Sequence, residues 1–335
     1  MGGPVGARGR RLIGGVALLT VPVLLAALPL VPMFVLLERV GLGGLGGLGG
    51  LGGLGGLGGL GSAVIGVIAA GIVGLGGAAI VGPILVERRI RRLPAAELED
   101  RPADFVADRV AALADEVGVD PPTVTVIRAD AANVAAVDGH RGSRLVVSTR
   151  LLSLPQDDRD AALRHALVRI KRREAVVTTA LIPALALVET VALLATLLVG
   201  RRSERTAADR RVNRIHGYEP ERKRIPSWLY TVAGVLLWVL LLPAWIPAAV
   251  GDRLYVSGGR QSADAVVAGI GTAERDGLGN AVAFASDAAG AADWPPLLDR
   301  LSLVSMADDE TGRIRGTSRQ EARVRLARLR SKRAL

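Results

Sequence analysis

Few residues in this chain can do chemistry. It has no cysteine, which excludes disulfides, thiolate metal sites and cysteine nucleophiles. Its histidines are His140, His165 and His216. Arg169 follows His165 by four residues, the spacing that puts two side chains on one face of a helix. An imidazole there can ligate a metal or accept a proton, whereas a guanidinium stays protonated and only donates hydrogen bonds. A second candidate is Glu189, the one charge in the apolar run 175–200. A carboxylate at membrane depth is costly and is a functional candidate by default, which opens a transporter reading. Against it, no second intramembrane acid and no broken-helix repeat accompany Glu189. A structural carboxyl, protonated or hydrogen-bonded to Thr178, Thr179 or Thr190, is the favoured reading.

These groups are carried by a chain of long apolar runs. Half of the 335 residues are hydrophobic and 3% aromatic. With a mean hydropathy of +0.37, that excludes a disordered chain and an ordinary soluble enzyme. Residues 12–37 and 62–86 are uncharged throughout and long enough for a hydrocarbon core. Residues 175–200 and 229–251 are two further spans, with Trp228, Trp238 and Trp245 spread along the last, two of them suited to the membrane interface. Arg8, Arg10 and Arg11 precede the first run as in a signal peptide, but the run is too long and a second follows closely, so an uncleaved anchor is expected.

Arginine placement predicts orientation. Arg8, Arg10 and Arg11 precede the first span, Arg88, Arg89, Arg91 and Arg92 follow the second, and the basic stretch 169–173 precedes the third. The N-terminus is therefore expected in the cytoplasm. The loop 201–226 is equally basic on the opposite side, so either the last two segments form a re-entrant hairpin, helped by Pro183, Pro243 and Pro247, or the loop breaks the rule. The net charge of +10 reflects arginine-biased coding together with attraction to anionic lipid. At the C-terminus Arg319, Arg323, Arg325, Arg328 and Arg330 interleave with Val324, Leu326 and Leu329 on a predicted helix. That is a packed stripe with a solvated basic face, suited to anionic lipid headgroups. Nucleic acid is not expected, because stacking aromatics are missing.

Residues 41–61 repeat Leu-Gly-Gly and hold 14 of the 42 glycines. Each glycine costs a helix interior about 1 kcal/mol relative to alanine, which predicts an apolar linker rather than a helix. In the second span Gly66, Ala70, Gly74, Ala78 and Gly82 recur every fourth residue, a ridge on which another helix can approach closely.

Two polar regions remain, 87–174 and 252–335. Phe105, Val106, Val110, Leu113 and Val117 recur at helical spacing, and the helix they predict ends near Gly118. Residues 123–127 and 144–148 read as strands with a turn at Asp138-Gly139. Residues 157–174 then read as a helix running almost directly into the third span.

The wording inside these elements is PPTVTVI at 121–127, NVAA at 133–136, RLVVSTRLL at 144–152, DAALRHALVRIKRRE at 160–174, RQSAD at 260–264 and GTSRQEARVRL at 316–326. In this order, over most of the chain, it resembles the HtpX-like membrane zinc metallopeptidases, relatives of the CAAX prenyl proteases. Members have two N-terminal spans, a helix and small sheet, a helix bearing H-E-x-x-H, two more spans, a motif close to E-x-x-A-D and a T-H-P tail. The resemblance implies an α+β membrane protein with four transmembrane helices and a zincin-like domain. It also implies a zinc cofactor and cleavage of misfolded membrane proteins or membrane-associated peptides.

The departures fall on the chemistry. His165 keeps the first ligand position, Ala166 replaces the glutamate base and Arg169 replaces the second histidine. The third ligand position is Arg260, or Gln261 if the register shifts by one. A catalytic zinc needs three protein ligands and an open position, and one imidazole does not supply them. The expectation is a pseudoprotease without bound zinc, in which Arg169 either lies against Asp264 as a fixed cation in place of the metal or snorkels to water or lipid headgroups.

The expected organisation is an anchor at 1–86, a cytoplasmic peptidase-like domain in two parts (87–174 and 252–335), and a hairpin with a basic loop at 175–251. Its expected role is a binding or regulatory module in the cell membrane, engaging an active relative or client peptides by strand addition beside Asn133. The rival readings are an active metalloendopeptidase with a non-standard metal site and a small transporter using Glu189.

Overall fold

The computed structural model describes residues 4–27, 55–94, 103–140, 142–200, 227–287, 293–306 and 318–331. In chain order these form α1 (Pro4–Ala27), α2 (Gly55–Ile90), α3 (Ala103–Val117), β1 (Thr123–Ile127), β2 (Val134–Gly139), β3 (Gly142–Ser148) and the single turn α4 (Thr149–Leu152). Then come α5 (Gln156–Lys171), α6 (Glu174–Gly200), α7 (Ser227–Gly251), a π-helical turn (Asp252–Val256), α8 (Ser257–Val267), α9 (Thr272–Asp287), a 3-10 turn (Pro296–Leu301) and α10 (Ser318–Ser331).

Among the described residues four helices are long and apolar enough to cross a membrane: α1, α2, α6 and α7. α6 and α7 have 27 and 25 residues, about 40 and 37 Å at the helical rise against a hydrocarbon core of about 30 Å. Pro183, Pro243 and Pro247 lie inside these continuous helices and do not break them. The four pack as a ring, α1 beside α2 and α7, and α6 beside α2 and α7. The small-residue ridge of α2 is used at Gly74, where a Cβ would run into the Pro22 backbone, and at Gly82, where it would run into the backbone of Thr179 and Ala180.

The Leu-Gly-Gly linker requires a correction. α2 begins at Gly55 and takes in the end of the repeat; in an apolar medium an unpaired backbone amide costs more than a glycine, which favours continuing the helix. Residues 41–54 lie outside the described residues, as do the basic loop 201–226, with His216, and residues 316–317 of the T-H-P-like segment.

The polar regions build a mixed three-stranded sheet of order β1-β3-β2, with β1 parallel and β2 antiparallel to β3. β-branched residues make up β1, and Val146 and Val147 sit in the buried end of β3. Asp138 and Gly139 still pair, with Ser143 and Gly142, so the chain reverses one step later than the sequence suggests. α3 ends at Gly118, whose φ is +73°. There the amides of Gly118 and Val119 bond back to the Asp115 and Ala114 carbonyls, an end that favours glycine. One apolar core joins the sheet to α3, α5, α8 and α9; another lies among the four long helices. The helix runs almost directly into the third span, as expected: α5 stops at Lys171, Arg173 turns the chain with φ +54°, and α6 starts at Glu174.

Candidate functional site

α5 carries His165, Ala166 and Arg169 into the interior, where all three are buried. Asp157 and Asp158 open the helix and Arg169 and Lys171 close it, both favourable to its dipole. Facing it is α8, which continues the last apolar helix through the π-helical turn and brings buried Arg260 and Asp264 to the same place. The remaining wall is the segment from Pro296 to Met306, and behind it lies α10.

His165 Nε2 is 3.3 Å from the Arg260 carbonyl oxygen and 3.3 Å from Asp264 Oδ1. Both neighbours accept, so Nε2 carries the proton, and Nδ1 has no hydrogen-bond partner. Burial pushes the imidazole pKa down against the opposing pull of Asp264, which keeps the ring neutral at pH 7.

Asp264 is not the partner of Arg169. Its carboxylate is gripped by Arg325 of α10, with Nε and Nη2 each 2.7 Å from one of its oxygens, a fork-on-fork pair that satisfies geometry and charge together. Arg169 instead donates from Nη1 to the carbonyls of Leu301 (2.6 Å) and Ser302 (3.2 Å) and from Nη2 to that of Arg300 (3.0 Å). Its Nε stands 3.8 Å from Glu174 Oε2. Burial, then the nearby Arg260, lower its pKa to about 10, still a cation at neutral pH.

Arg260 completes a pattern. It donates to the carbonyls of Ser302 and Asp299 and to the carboxylate of Glu321, while Arg325 also donates to the Leu303 carbonyl. Five consecutive carbonyls, 299 to 303, therefore each receive a guanidinium, from residues on three different helices. The same segment closes the sheet edge: the Leu303 amide bonds to the Val134 carbonyl at 2.8 Å, and Ser302 bridges Ala135. Asn133 binds Val304 through both ends of its amide, at 2.7 and 3.3 Å. The edge beside Asn133, which the sequence reading offered to a client strand, is occupied by the chain's own backbone.

Glu189 also differs from expectation. Arg300 Nη2 is 2.6 Å from its Oε1, and Arg300 Nε is 2.6 Å from Asp252 Oδ1. The hydroxyls of Thr178 and Thr190 bond to carbonyls of their own helix, and that of Thr179 lies by the Asp138 amide. At the start of α6, Glu174 pairs with Arg11 of α1. Gln261 is half-buried and bonded to Ser257 and Arg328, so Arg260, not Gln261, points to the centre. His140 is exposed beside the Ile80 carbonyl.

Arg325, Arg300 and Asp252 were not singled out by sequence reasoning as site residues. Only helical phase could have flagged Arg325: Ala322, Arg325 and Leu329 share the buried face of α10, while Val324 is 42% exposed.

The side chains present do not fit zinc. His165 and Asp264 approach each other, but Arg169, Arg260 and Arg325 surround them, and among the described residues no group of three His, Asp or Glu side chains is placed to hold a metal. Permanent cations cannot donate a lone pair and repel a dication. Compared with known proteins, the chain matches no family model, no curated protein and no solved structure.

Proposed function

We propose that this protein is a multi-pass membrane protein related to the HtpX-like metallopeptidases, in which guanidinium groups have taken over the place of the catalytic ion. It acts as a non-hydrolytic binding or regulatory module. The observation that carries the reading is the company of His165: Asp264, with Arg169, Arg260 and Arg325 around the pair, where the resemblance implies a zinc ligand set. A general base is also missing, since Ala166 stands in the glutamate position. In this reading the N-terminus and the sheet-bearing part are cytoplasmic, the basic face of α10 lies near anionic lipid, and partners are an active relative or client peptides. With the β2 edge filled by residues 302–304, such partners bind elsewhere on the surface.

The test is peptidase activity of the purified chain towards an unfolded protein substrate with added zinc, compared with a chelator-treated sample. The reading predicts no chelator-sensitive cleavage. Cleavage that disappears in His165→Ala contradicts it.

A further inference from the structure

We propose that the cavity at the end of α7 binds one anionic membrane phospholipid, with the headgroup phosphate on Arg253. The cavity has a volume of about 600 Å3, within the range of small-molecule sites. It lies where an apolar, membrane-length helix turns into the polar part of the protein. Trp245, Val250 and Val324 give it an apolar side, and Ser257 and Ser305 are among its polar groups. Trp238, near the middle of α7, packs edge-on against Trp245, and Trp245, within two turns of the helix end, suits the headgroup side of a bilayer. The π-helical turn Asp252–Val256 forms part of the lining; such turns are frequent at functional sites.

Charge selects the ligand. Three guanidiniums and two carboxylates line the cavity, but Asp252 is committed to Arg300 and Glu321 to Arg260. Arg300 also meets Glu189 outside the cavity, whereas Arg253 is exposed and its guanidinium has no side-chain partner among the described residues, which leaves it as the lining cation free to meet an anion. A phosphodiester carries one negative charge and offers oxygens to that guanidinium. The volume takes a headgroup and glycerol but not two acyl chains. Those continue along the exposed side of α7, where Val239, Leu240, Ile246 and Val250 face outward.

Native mass spectrometry of the full chain in detergent tests this, titrating dioleoyl phosphatidylglycerol, dioleoyl phosphatidylcholine and inorganic phosphate. The proposal expects one phosphatidylglycerol retained in preference to phosphatidylcholine, and an affinity about fivefold weaker in Arg253→Ala, as the loss of one basic contact implies. Arg253→Lys should restore most of it, and Arg128→Ala, exposed just after β1 and away from the cavity lining, should change little. Equal retention of the two lipids, or no effect of Arg253→Ala, overturns the proposal. Displacement of the lipid by inorganic phosphate at comparable concentration makes the cavity a free-phosphate site and overturns it as well. Neither outcome bears on zinc, so the proposed function stands or falls separately.

Discussion

Arg325 and Asp264 face each other through two parallel hydrogen bonds of 2.7 Å, with side chains 1% and 8% exposed. A pair so placed is costly to desolvate and costlier to break, because the surviving partner keeps its charge in a dry site. Arg325→Ala is predicted to destabilise the protein by about 3–5 kcal/mol, read as a lower melting temperature in detergent. A loss as small as that of an exposed arginine contradicts the pairing.

Arg169 makes a different prediction. Its partners are backbone carbonyls of residues 300–302, so Arg169→Ala should destabilise by a mechanism largely independent of Asp264. In double-mutant cycles the Arg325–Asp264 coupling should be about 1.5 kcal/mol or more, and the Arg169–Asp264 coupling clearly smaller. The reverse ranking would restore the pairing expected from sequence.

The neutral, buried His165 sets a pH dependence. Its pKa is depressed in the folded state, mainly by burial, with smaller pushes from the Arg325 and Arg169 charges, and despite Asp264. Below about pH 6.5 the unfolded chain binds a proton at this residue that the folded chain refuses, so stability falls as pH falls; above that pH the contribution is constant. The slope from this one group is at most about 1.4 kcal/mol per pH unit. Melting between pH 7.5 and 5 should fall more steeply for the native chain than for His165→Asn. Parallel curves contradict the assignment.

How much of this was legible in the sequence depends on the kind of signal. β1 and α3 stand where alternation and helical spacing put them, because those patterns are set by local burial. The four apolar helices were legible for the same reason. The partners of Arg169 were not: carbonyls carry no side-chain signature, and the segment that supplies them lies 131 to 133 positions away. Arg325 was hidden among other arginines, and Arg300 sits 111 positions from Glu189. A buried guanidinium and a solvated one look alike in a sequence read without depth.

Glu189 is predicted to anchor the third apolar helix to the sheet-bearing part through Arg300. Glu189→Gln keeps an acceptor but removes a charge, and should cost about 1.5–3 kcal/mol of stability. Arg300 retains Asp252 in that variant, which moderates the loss. Ion flux in liposomes that vanishes in Glu189→Gln contradicts a structural role and favours transport.

Metal content tests the central claim most directly. The native chain, purified in detergent from zinc-supplemented cells and dialysed without chelator, should carry far less than one zinc per molecule, with no difference between it and His165→Ala. One zinc per chain, lost on replacing His165, contradicts the account.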